Sequence, residues 1–378
     1  MTTARTTVTK VKQGLRDVFR QPALVVWIMY LFAIPFYVSA SGLPQPSNVM
    51  LVLLVPLALR GWDMRLGPAE VKASRALLRF VLWVAVINLG WAALHSKWGM
   101  QDYVLHPLYY TFNFAIFVIV LILHRRFGVL FLRATVFALV MVVFVQVVAT
   151  LLGVGITSRG QAFFNNPNQL GYYALLAASV LAVLHKPTKI SRLMISLALV
   201  GCAYLAMLSA SRAATLGVGI LFFLLVFSNP RIVLAGVVVS VIVIFMGGPI
   251  TDMIDRLQHR AEIRGDEEFA KVRGYSRLWE YKEHLVVGAG EGEYERFSET
   301  GKSREIHSSA ATILFCYGVV GSFLFILFAW QVARGAPRRV LIMLAPTLAY
   351  TVAHQGLRFT MLWVLLAIFL SVKRAKPP

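Results

Sequence analysis

Long apolar runs follow one another along almost the whole chain between Pro22 and Val372, and no other feature constrains the fold as strongly. Runs of about 17–25 apolar residues predict transmembrane helices, because roughly 20 helical residues cross a hydrocarbon core about 30 Å thick. The 378-residue chain is 58% hydrophobic with a mean hydropathy of +0.71, which excludes an ordinary soluble domain. We therefore predict an all-α polytopic membrane protein.

About twelve transmembrane helices are expected from these runs. They cover residues 23–41, 45–59, 76–94, 108–124, 130–152, 170–185, 193–210, 213–228, 231–248, 309–332, 338–353 and 357–372. The second run is short and contains Pro56, so it could be re-entrant, and the two runs beside Arg212 could form one broken helix. The layout predicts a single membrane domain, with helices one to nine in residues 1–248, a long loop over 249–306, and helices ten to twelve in 307–378.

The basic residues indicate the orientation of the chain. Most lie in short loops on one side, whereas the short loops on the other side hold Lys97, Arg159, Arg212 and Arg358. The positive-inside rule then places both termini in the cytoplasm and the long loop on the outer side. The net charge of +20 therefore indicates topology and contact with anionic membrane lipids. A nucleic-acid partner is not expected, because such binding would concentrate basic residues on a polar domain.

Carboxylates are nearly absent from the apolar runs, since 13 of the 17 Asp and Glu lie within residues 251–305. A proton-coupled transporter usually carries Asp or Glu inside the membrane, so this pattern counts against that class. A metal enzyme would need clustered His, Cys or carboxylates, and Asp252 with Asp255 is a weak pair, so we predict a site without metal or other cofactor. Cys202 and Cys316 lie in apolar runs and are expected to be buried free thiols.

Arg212 is the most unusual charged residue, because it lies between two apolar runs with no acidic residue nearby in sequence. An arginine at the membrane centre costs about 2.5–3.5 kcal/mol on insertion scales, so it should have a partner. Ser209 and Ser211 flank it and offer hydroxyl donors. If the chain supplies no anion, the substrate can, and we predict a phosphate-containing substrate. An arginine that only snorkels to lipid headgroups is the alternative interpretation.

A second polar cluster precedes the sixth apolar run. It contains Arg159 and then Asn165-Asn166-Pro167-Asn168. Asn166 and Asn168 are good N-cap residues, and Pro167 suits the start of a helix. A helix start presents free N–H groups that can bind an anion, although a purely structural cap would have the same sequence.

The long loop carries a third candidate, Arg277. The stretch from Ser276 to Leu285 has apolar residues at helical spacing and predicts a helix that Ser276 caps. The run Gly288–Gly292 that follows lacks the preceding strand and the Lys-Ser/Thr of a nucleotide-binding loop. We interpret it as a tight turn that returns the chain to the membrane.

The fourth cluster is His307-Ser308-Ser309 at the start of the tenth predicted helix. Ser308 or Ser309 can cap that helix, and the positive end of the helix favours a neutral imidazole at His307. A neutral histidine near pH 7 is a competent general base, whereas a histidine that only ends the loop is the alternative. A weaker polar group runs from His354 to Arg358 between the last two predicted helices.

Four motifs follow one another over residues 155–325: Asn165–Gly171, Ser211–Ala214, Arg277–Trp279 with Val287–Gly290, and His307–Gly321. In this order they resemble the O-antigen ligase family. The fourth is similar to its His-(Asn/Ser/Gln)-x9-Gly-x-x-(Gly/Thr/Tyr) motif, with the glycines at 318 and 321. The first resembles its Asn-Pro-Asn-x-Leu-Gly element, the second its arginine element at a helix end, and the third its Arg-x-x-Trp…Gly-x-Gly loop signature.

The resemblance implies a fold related to the GT-C glycosyltransferases in a bacterial inner membrane. It also implies transfer of a glycan from undecaprenyl pyrophosphate to a hydroxyl of lipid A–core at the periplasmic face, without metal or nucleotide. Arg212 and Arg277 would hold the pyrophosphate and His307 would act near the acceptor. The other predicted substrate-binding residues are Arg159, Asn165, Asn168, Ser211, Ser308, His354 and Arg358.

Two other functions stay open at this stage. The family also contains polymerases, whose acceptor is a second lipid-linked glycan, and Arg277 lies only 30 residues before His307, which indicates a compact acceptor platform. A lipid-linked sugar flippase is the alternative from another class. It would need a continuous polar cavity, whereas the polar clusters of this sequence collect on one face.

Overall fold

The computed structural model describes residues 16–39, 43–60, 66–95, 100–156, 160–226, 273–297 and 305–373. Within these ranges the chain is helical and contains no strand. The helices are α1 (Pro22–Ala33), α2 (Pro46–Leu59), α3 (Pro68–Leu94), α4 (Met100–Phe127), α5 (Val129–Leu151), α6 (Pro167–Thr188), α7 (Arg192–Leu208), α8 (Arg212–Val226), α9 (Arg277–Glu280), α10 (His284–Val287), α11 (Ser309–Ala333), α12 (Arg338–Leu341), α13 (Ala345–Ala353) and α14 (Thr360–Val372). A 3-10 turn covers Tyr294–Phe297.

Five of the described helices, α3, α4, α5, α6 and α11, are long and apolar enough to cross a membrane. Five others, α1, α2, α7, α8 and α14, are shorter apolar helices. The chain is thus a multi-pass membrane protein, and the expected total of twelve spans is not confirmed by these lengths. The predicted run at 231–248 lies outside the described residues. The run at 338–353 is wrong as one helix, because it divides into α12 and α13. The relation to GT-C enzymes and the three-part domain layout stay predictions.

Helices α6 and α14 form the centre of the bundle. Every side chain of α6 from Leu170 to Leu184 is buried, as is nearly all of α14, which packs against α4, α6 and α11. Small residues allow close approach: a Cβ on Gly171 of α6 would lie 2.9 Å from the Cβ of Ser211, at the turn between α7 and α8. This contact holds the turn that precedes Arg212 beside the start of α6.

Helix α11 is broken at Gly318, which has φ 66° and ψ −169°. The chain around Gly288 passes directly against the break. A Cβ on Gly318 would lie 2.3 Å from the carbonyl oxygen of Val286, and a Cβ on Gly288 would lie 2.5 Å from that of Cys316. Both positions therefore require glycine, for space and for a backbone conformation that other residues rarely adopt.

The carbonyl groups left free by the break receive new donors. The N–H of Ala289 donates to the oxygen of Phe315 at 2.9 Å, and the N–H of Gly290 donates to that of Cys316 at 2.8 Å. Irregular backbone within a membrane bundle is tolerated where protein covers it and satisfies its polar groups. The predicted tight turn over Gly288–Gly292 is thus better described as a segment inserted against α11.

At the end of the bundle opposite the start of α6, polar side chains pair with groups at the ends of helices. Arg125 pairs with Glu70, with an Nε–Oε2 distance of 2.7 Å. The ammonium of Lys373 donates to the carbonyl oxygens of Gln331 at 3.1 Å and Arg334 at 3.0 Å, and also to that of Val332. A cation at the end of α11 satisfies carbonyl groups that have no partner within that helix and interacts favourably with the helix dipole.

Candidate functional site

The beginnings of α6, α8, α11 and α14 meet at one end of the molecule, together with the segment 273–297. Direct contacts join them. The hydroxyl of Ser309 donates to the carbonyl oxygen of His354 at 3.0 Å and accepts from the N–H of Gly356 at 3.0 Å. Tyr350 of α13 stacks on Tyr172 of α6, with ring centres 4.6 Å apart. The predicted cluster at 307–309 and the weaker one at 354–358 therefore form one region.

His307 is half-buried and is held by its own backbone. Its N–H donates to the carbonyl oxygen of Arg273 at 3.0 Å, and its carbonyl oxygen accepts from the hydroxyl of Tyr275 at 3.2 Å. Ser308 follows as the N-cap of α11, since its hydroxyl accepts from the N–H of Ala311 at 3.2 Å. The prediction that a serine caps this helix is confirmed. The turn at 273–275 fixes the backbone position of His307.

Arg277 is buried, with 6% of its surface exposed, and its guanidinium lies over the rings of Tyr294 (5.5 Å) and Phe297 (5.9 Å). Burial lowers the pKa of this guanidinium, although arginine stays charged at neutral pH. A Cβ on Gly274 would lie 3.6 Å from the Arg277 Cζ and 3.5 Å from the Cα of Ile306. The guanidinium of Arg277 and the residue preceding His307 therefore both lie beside Gly274.

The single helix predicted from Ser276 to Leu285 is wrong. The structure has two short helices, α9 and α10, and the hydroxyl of Ser276 donates to Glu280 Oε2 at 3.1 Å instead of capping a backbone N–H. The ring of Tyr281, directly after α9, and the ring of His284, at the start of α10, pack near Phe297, with ring centres 5.0 and 5.5 Å away. These tertiary contacts override the local helical pattern.

Arg358 lies between two carboxylates. It forms an ion pair with Glu305, and its Nε is 3.7 Å from Glu291 Oε1. The Nε2 of His106 is 3.3 Å from the Arg358 Nη1. Burial lowers the pKa of Arg358, but Glu305 and Glu291 outweigh it and raise the pKa well above its ordinary value. The charge of this predicted substrate-binding residue is thus balanced within the protein, which the sequence did not indicate.

Arg212 is exposed at the first residue of α8 and makes no ion pair with any residue that the structure describes. The three-residue turn before it separates α7 from α8, so these are two helices. Ser211 is buried, and its carbonyl oxygen accepts from the N–H of Thr215 at 2.9 Å. The sequence argument depended on the cost of burying an arginine. Because Arg212 is exposed on the surface of the protein, the fold does not incur this cost. What marks Arg212 is its place at the site end of the bundle.

The asparagines have different positions. Asn166 caps α6 by accepting from the N–H of Asn168 at 2.8 Å, as predicted. The carbonyl oxygen of Asn168 is 3.5 Å from the Tyr350 hydroxyl, which connects it to the site region. The side chain of Asn165 instead donates to the carbonyl oxygen of Ser39 at 2.8 Å and holds a loop outside it. Arg159 lies outside the described residues.

Glu291 is the site residue that sequence reasoning missed. It is fully buried, and its carboxylate accepts hydrogen bonds from Tyr317 at 2.6 Å and Tyr110 at 3.0 Å. Glu291 and Glu70 both lie outside the predicted apolar runs, yet both are buried, and Glu70 is 4% exposed. A signal was present in the sequence, since the glycines at 288, 290 and 292 allow the close backbone approach that carries Glu291 inward.

Comparison with known families adds evidence once this geometry is known. A family model described as O-antigen ligase matches residues 197–326. The predicted resemblance to the O-antigen ligase family is confirmed. The matched region spans much of α7, all of α8, the segment that carries Arg277, and α11 through its break at Gly318. No curated protein matches the chain.

The O-antigen ligase match supports a glycosyltransferase-like membrane enzyme of ligase or polymerase type. It ends before α13 and α14, so Arg358 lies beyond it. The glycines of the family motifs have structural explanations in this chain. Gly318 and Gly288 allow the inserted segment to reach α11, and a Cβ on Gly321 would lie 2.4 Å from the Cβ of Tyr317. Within the described part of the chain, no three His, Cys, Asp or Glu side chains are grouped so that they could hold a metal ion.

Proposed function

We propose that the chain transfers a glycan from undecaprenyl pyrophosphate to a hydroxyl of lipid A–core at the periplasmic face of a bacterial inner membrane, with both termini in the cytoplasm. The observation that carries the proposal is the position of Arg277 and Ile306 beside the same glycine, Gly274. In the proposed site, the buried Arg277 acts as an anion-binding group, and His307, which follows Ile306, acts as a base. The O-antigen ligase match over both residues supports the same chemistry.

In the proposed reaction, an acceptor hydroxyl attacks the anomeric carbon of the donor. The new C–O bond forms as the bond to the diphosphate oxygen breaks, and undecaprenyl pyrophosphate leaves with the electron pair. His307 accepts the hydroxyl proton, a role that usually contributes on the order of 10²–10⁴ in rate. Arg277 and Arg212 offset the negative charge that develops on the leaving oxygens, and a guanidinium can donate two parallel hydrogen bonds to a phosphate.

A transfer assay with purified protein, lipid-linked glycan and lipid A–core tests this proposal. His307→Asn keeps hydrogen bonding but cannot serve as the base, so the rate should fall on the order of 10²–10⁴-fold. Arg212→Ala should abolish transfer, and Arg212→Lys should restore it only in part, because lysine lacks the planar fork. Arg79→Ala, which removes an exposed arginine of α3, is the matched control and should keep wild-type activity. Near-normal rates for both site variants would contradict the proposal.

Polymerisation is the second candidate, because the short interval between Arg277 and His307 indicates a compact acceptor platform and leaves the choice between ligase and polymerase open. Deletion in the source organism separates the two. Unligated lipid-linked glycan indicates a ligase, whereas lipopolysaccharide with a single repeat indicates a polymerase. A flippase, the third class, would give translocation in vesicles without any glycosidic product.

A further inference from the structure

Glu291 connects four parts of the site end through its backbone and its carboxylate. Its backbone N–H donates to Asn88 Oδ1 of α3 at 3.1 Å, and its carbonyl oxygen accepts from Asn88 Nδ2 at 2.9 Å. Its side chain accepts from Tyr110 of α4 and Tyr317 of α11, and Gln355 Nε2 donates to it at 3.3 Å. Glu291 therefore joins α3, α4, α11 and the α13–α14 turn.

We propose that Glu291 is a positioning residue, which holds Arg358 at the edge of the site and thereby fixes the turn that packs against the start of α11. A buried carboxylate is costly unless it is paired and hydrogen-bonded. Glu291 has hydroxyl and amide donors, and two cationic or titratable partners, Arg358 and His106, each 3.7 Å from its Oε1. A group with so many partners has one stable position.

Two chains of contacts link Glu291 to His307. Arg358 also pairs with Glu305, two residues before His307, so it links the buried carboxylate to the entry of α11. Gln355 lies in the same turn as His354, whose carbonyl oxygen accepts from Ser309, directly after the helix cap. Loss of the Glu291 charge should free Arg358 on one side and loosen both chains of contacts.

Chemical labelling tests the positioning role without any assumption about the reaction. Phenylglyoxal modifies accessible arginines, and mass spectrometry of the intact purified protein after digestion reports Arg358 separately. Glu291→Gln should raise the labelling rate of Arg358 several-fold. Glu295→Gln is the matched control, because it removes the same charge from an exposed position of the same segment. Equal labelling of Arg358 in the two variants would overturn the proposal.

The kinetic consequence depends on the proposed transferase function. In the transfer assay, Glu291→Gln should lower kcat by about 10- to 100-fold, the usual cost of a misplaced site, with KM little changed. If Glu291 acts through Arg358, the double variant with Arg358→Gln should lose no more than Arg358→Gln alone. If the fold-loss in kcat of the double variant equals the product of the two single-variant losses, Glu291 has an independent, merely structural role, and the proposal is refuted.

One outcome separates the positioning role from the proposed function. Increased Arg358 labelling in a protein without transferase activity would support the positioning role and contradict the proposed function.

If Glu291→Gln does not fold, Tyr317→Phe and Tyr110→Phe remove hydrogen bonds to the Glu291 carboxylate while its charge stays. Each should then raise Arg358 labelling, and unchanged labelling in both would overturn the positioning role.

Discussion

Substitution of Gly318 by alanine tests the broken helix most directly. The new Cβ would lie 2.3 Å from the carbonyl oxygen of Val286 and 2.7 Å from two carbonyl carbons, and all three are backbone atoms that cannot rotate away. A non-glycine residue held at such a backbone conformation costs about 1–3 kcal/mol. Displacing the inserted segment should also weaken the hydrogen bonds that the N–H groups of Ala289 and Gly290 donate to α11. Each of these contributes about 0.5–1.5 kcal/mol. Local stability should therefore fall by about 2–6 kcal/mol.

The two buried cysteines provide the assay. Cys316 lies in the break, and Cys202 lies in α7, outside it. With each thiol alone in the protein, the rate of labelling by a small methanethiosulfonate reports opening at that place. A loss of about 4 kcal/mol corresponds to roughly 10³-fold more opening, so Gly318→Ala should greatly accelerate labelling of Cys316 and affect Cys202 far less.

Gly90→Ala is the control, because a Cβ there meets nothing within 4 Å and alanine is the better helix former by about 1 kcal/mol. If Gly318→Ala labels Cys316 as slowly as Gly90→Ala does, the segment around Gly288 does not pack against α11 as described. Reciprocally, Gly288→Ala should behave like Gly318→Ala, since its Cβ would meet the carbonyl oxygen of Cys316.

Three further changes have defined expectations in thermal unfolding of the detergent-solubilised protein. Burial raises the pKa of Glu305, but Arg358 outweighs it and holds the pKa below 4.5, so the pair stabilises the fold above that pH and is lost as the pH falls through the lowered pKa. Glu305→Gln should lower Tm at pH 7 and remove this acid dependence; an unchanged profile would contradict it. Burial lowers the pKa of His284, so the unfolded chain binds more protons below about pH 6.5 and stability falls there; His284→Phe should flatten that fall, and a steeper one would refute the assignment. Lys373→Met leaves carbonyl groups of α11 unpaired and should cost about 1–3 kcal/mol, whereas the exposed Lys282→Met should not change Tm.

Structural features that depend on residues close together in sequence could be predicted from the sequence alone. Asn166 and Ser308 were recognisable as helix caps, because a cap is defined by one side chain and the N–H groups that follow it. The apolar runs predicted helices at most of the described positions. Arg277 and His307 were recognised as candidates, but only the structure places Arg277 and Ile306, the residue before His307, beside the same Gly274.

Features that depend on distant segments could not be read in this way. The break at Gly318 exists because residues near Gly288 supply its hydrogen bonds, and the burial of Glu291 depends on tyrosines of α4 and α11. The ion pair of Arg358 could not be recognised from the sequence, because its partner Glu305 is 53 residues away. The sequence therefore singled out Arg358 as a candidate, whereas the balance of its charge depends on the fold.

The central position of α14 has a consequence for biogenesis. This helix packs against α4, α6 and α11, yet the ribosome makes it after all three. During synthesis the groove that α14 fills must face lipid, the translocon or an insertase, and the buried side chains of α6 cannot acquire their final neighbours until α14 enters. The protein should thus be most vulnerable to membrane quality-control proteases late in translation, and a ribosome stalled before Thr360 should hold a nascent chain that such proteases degrade.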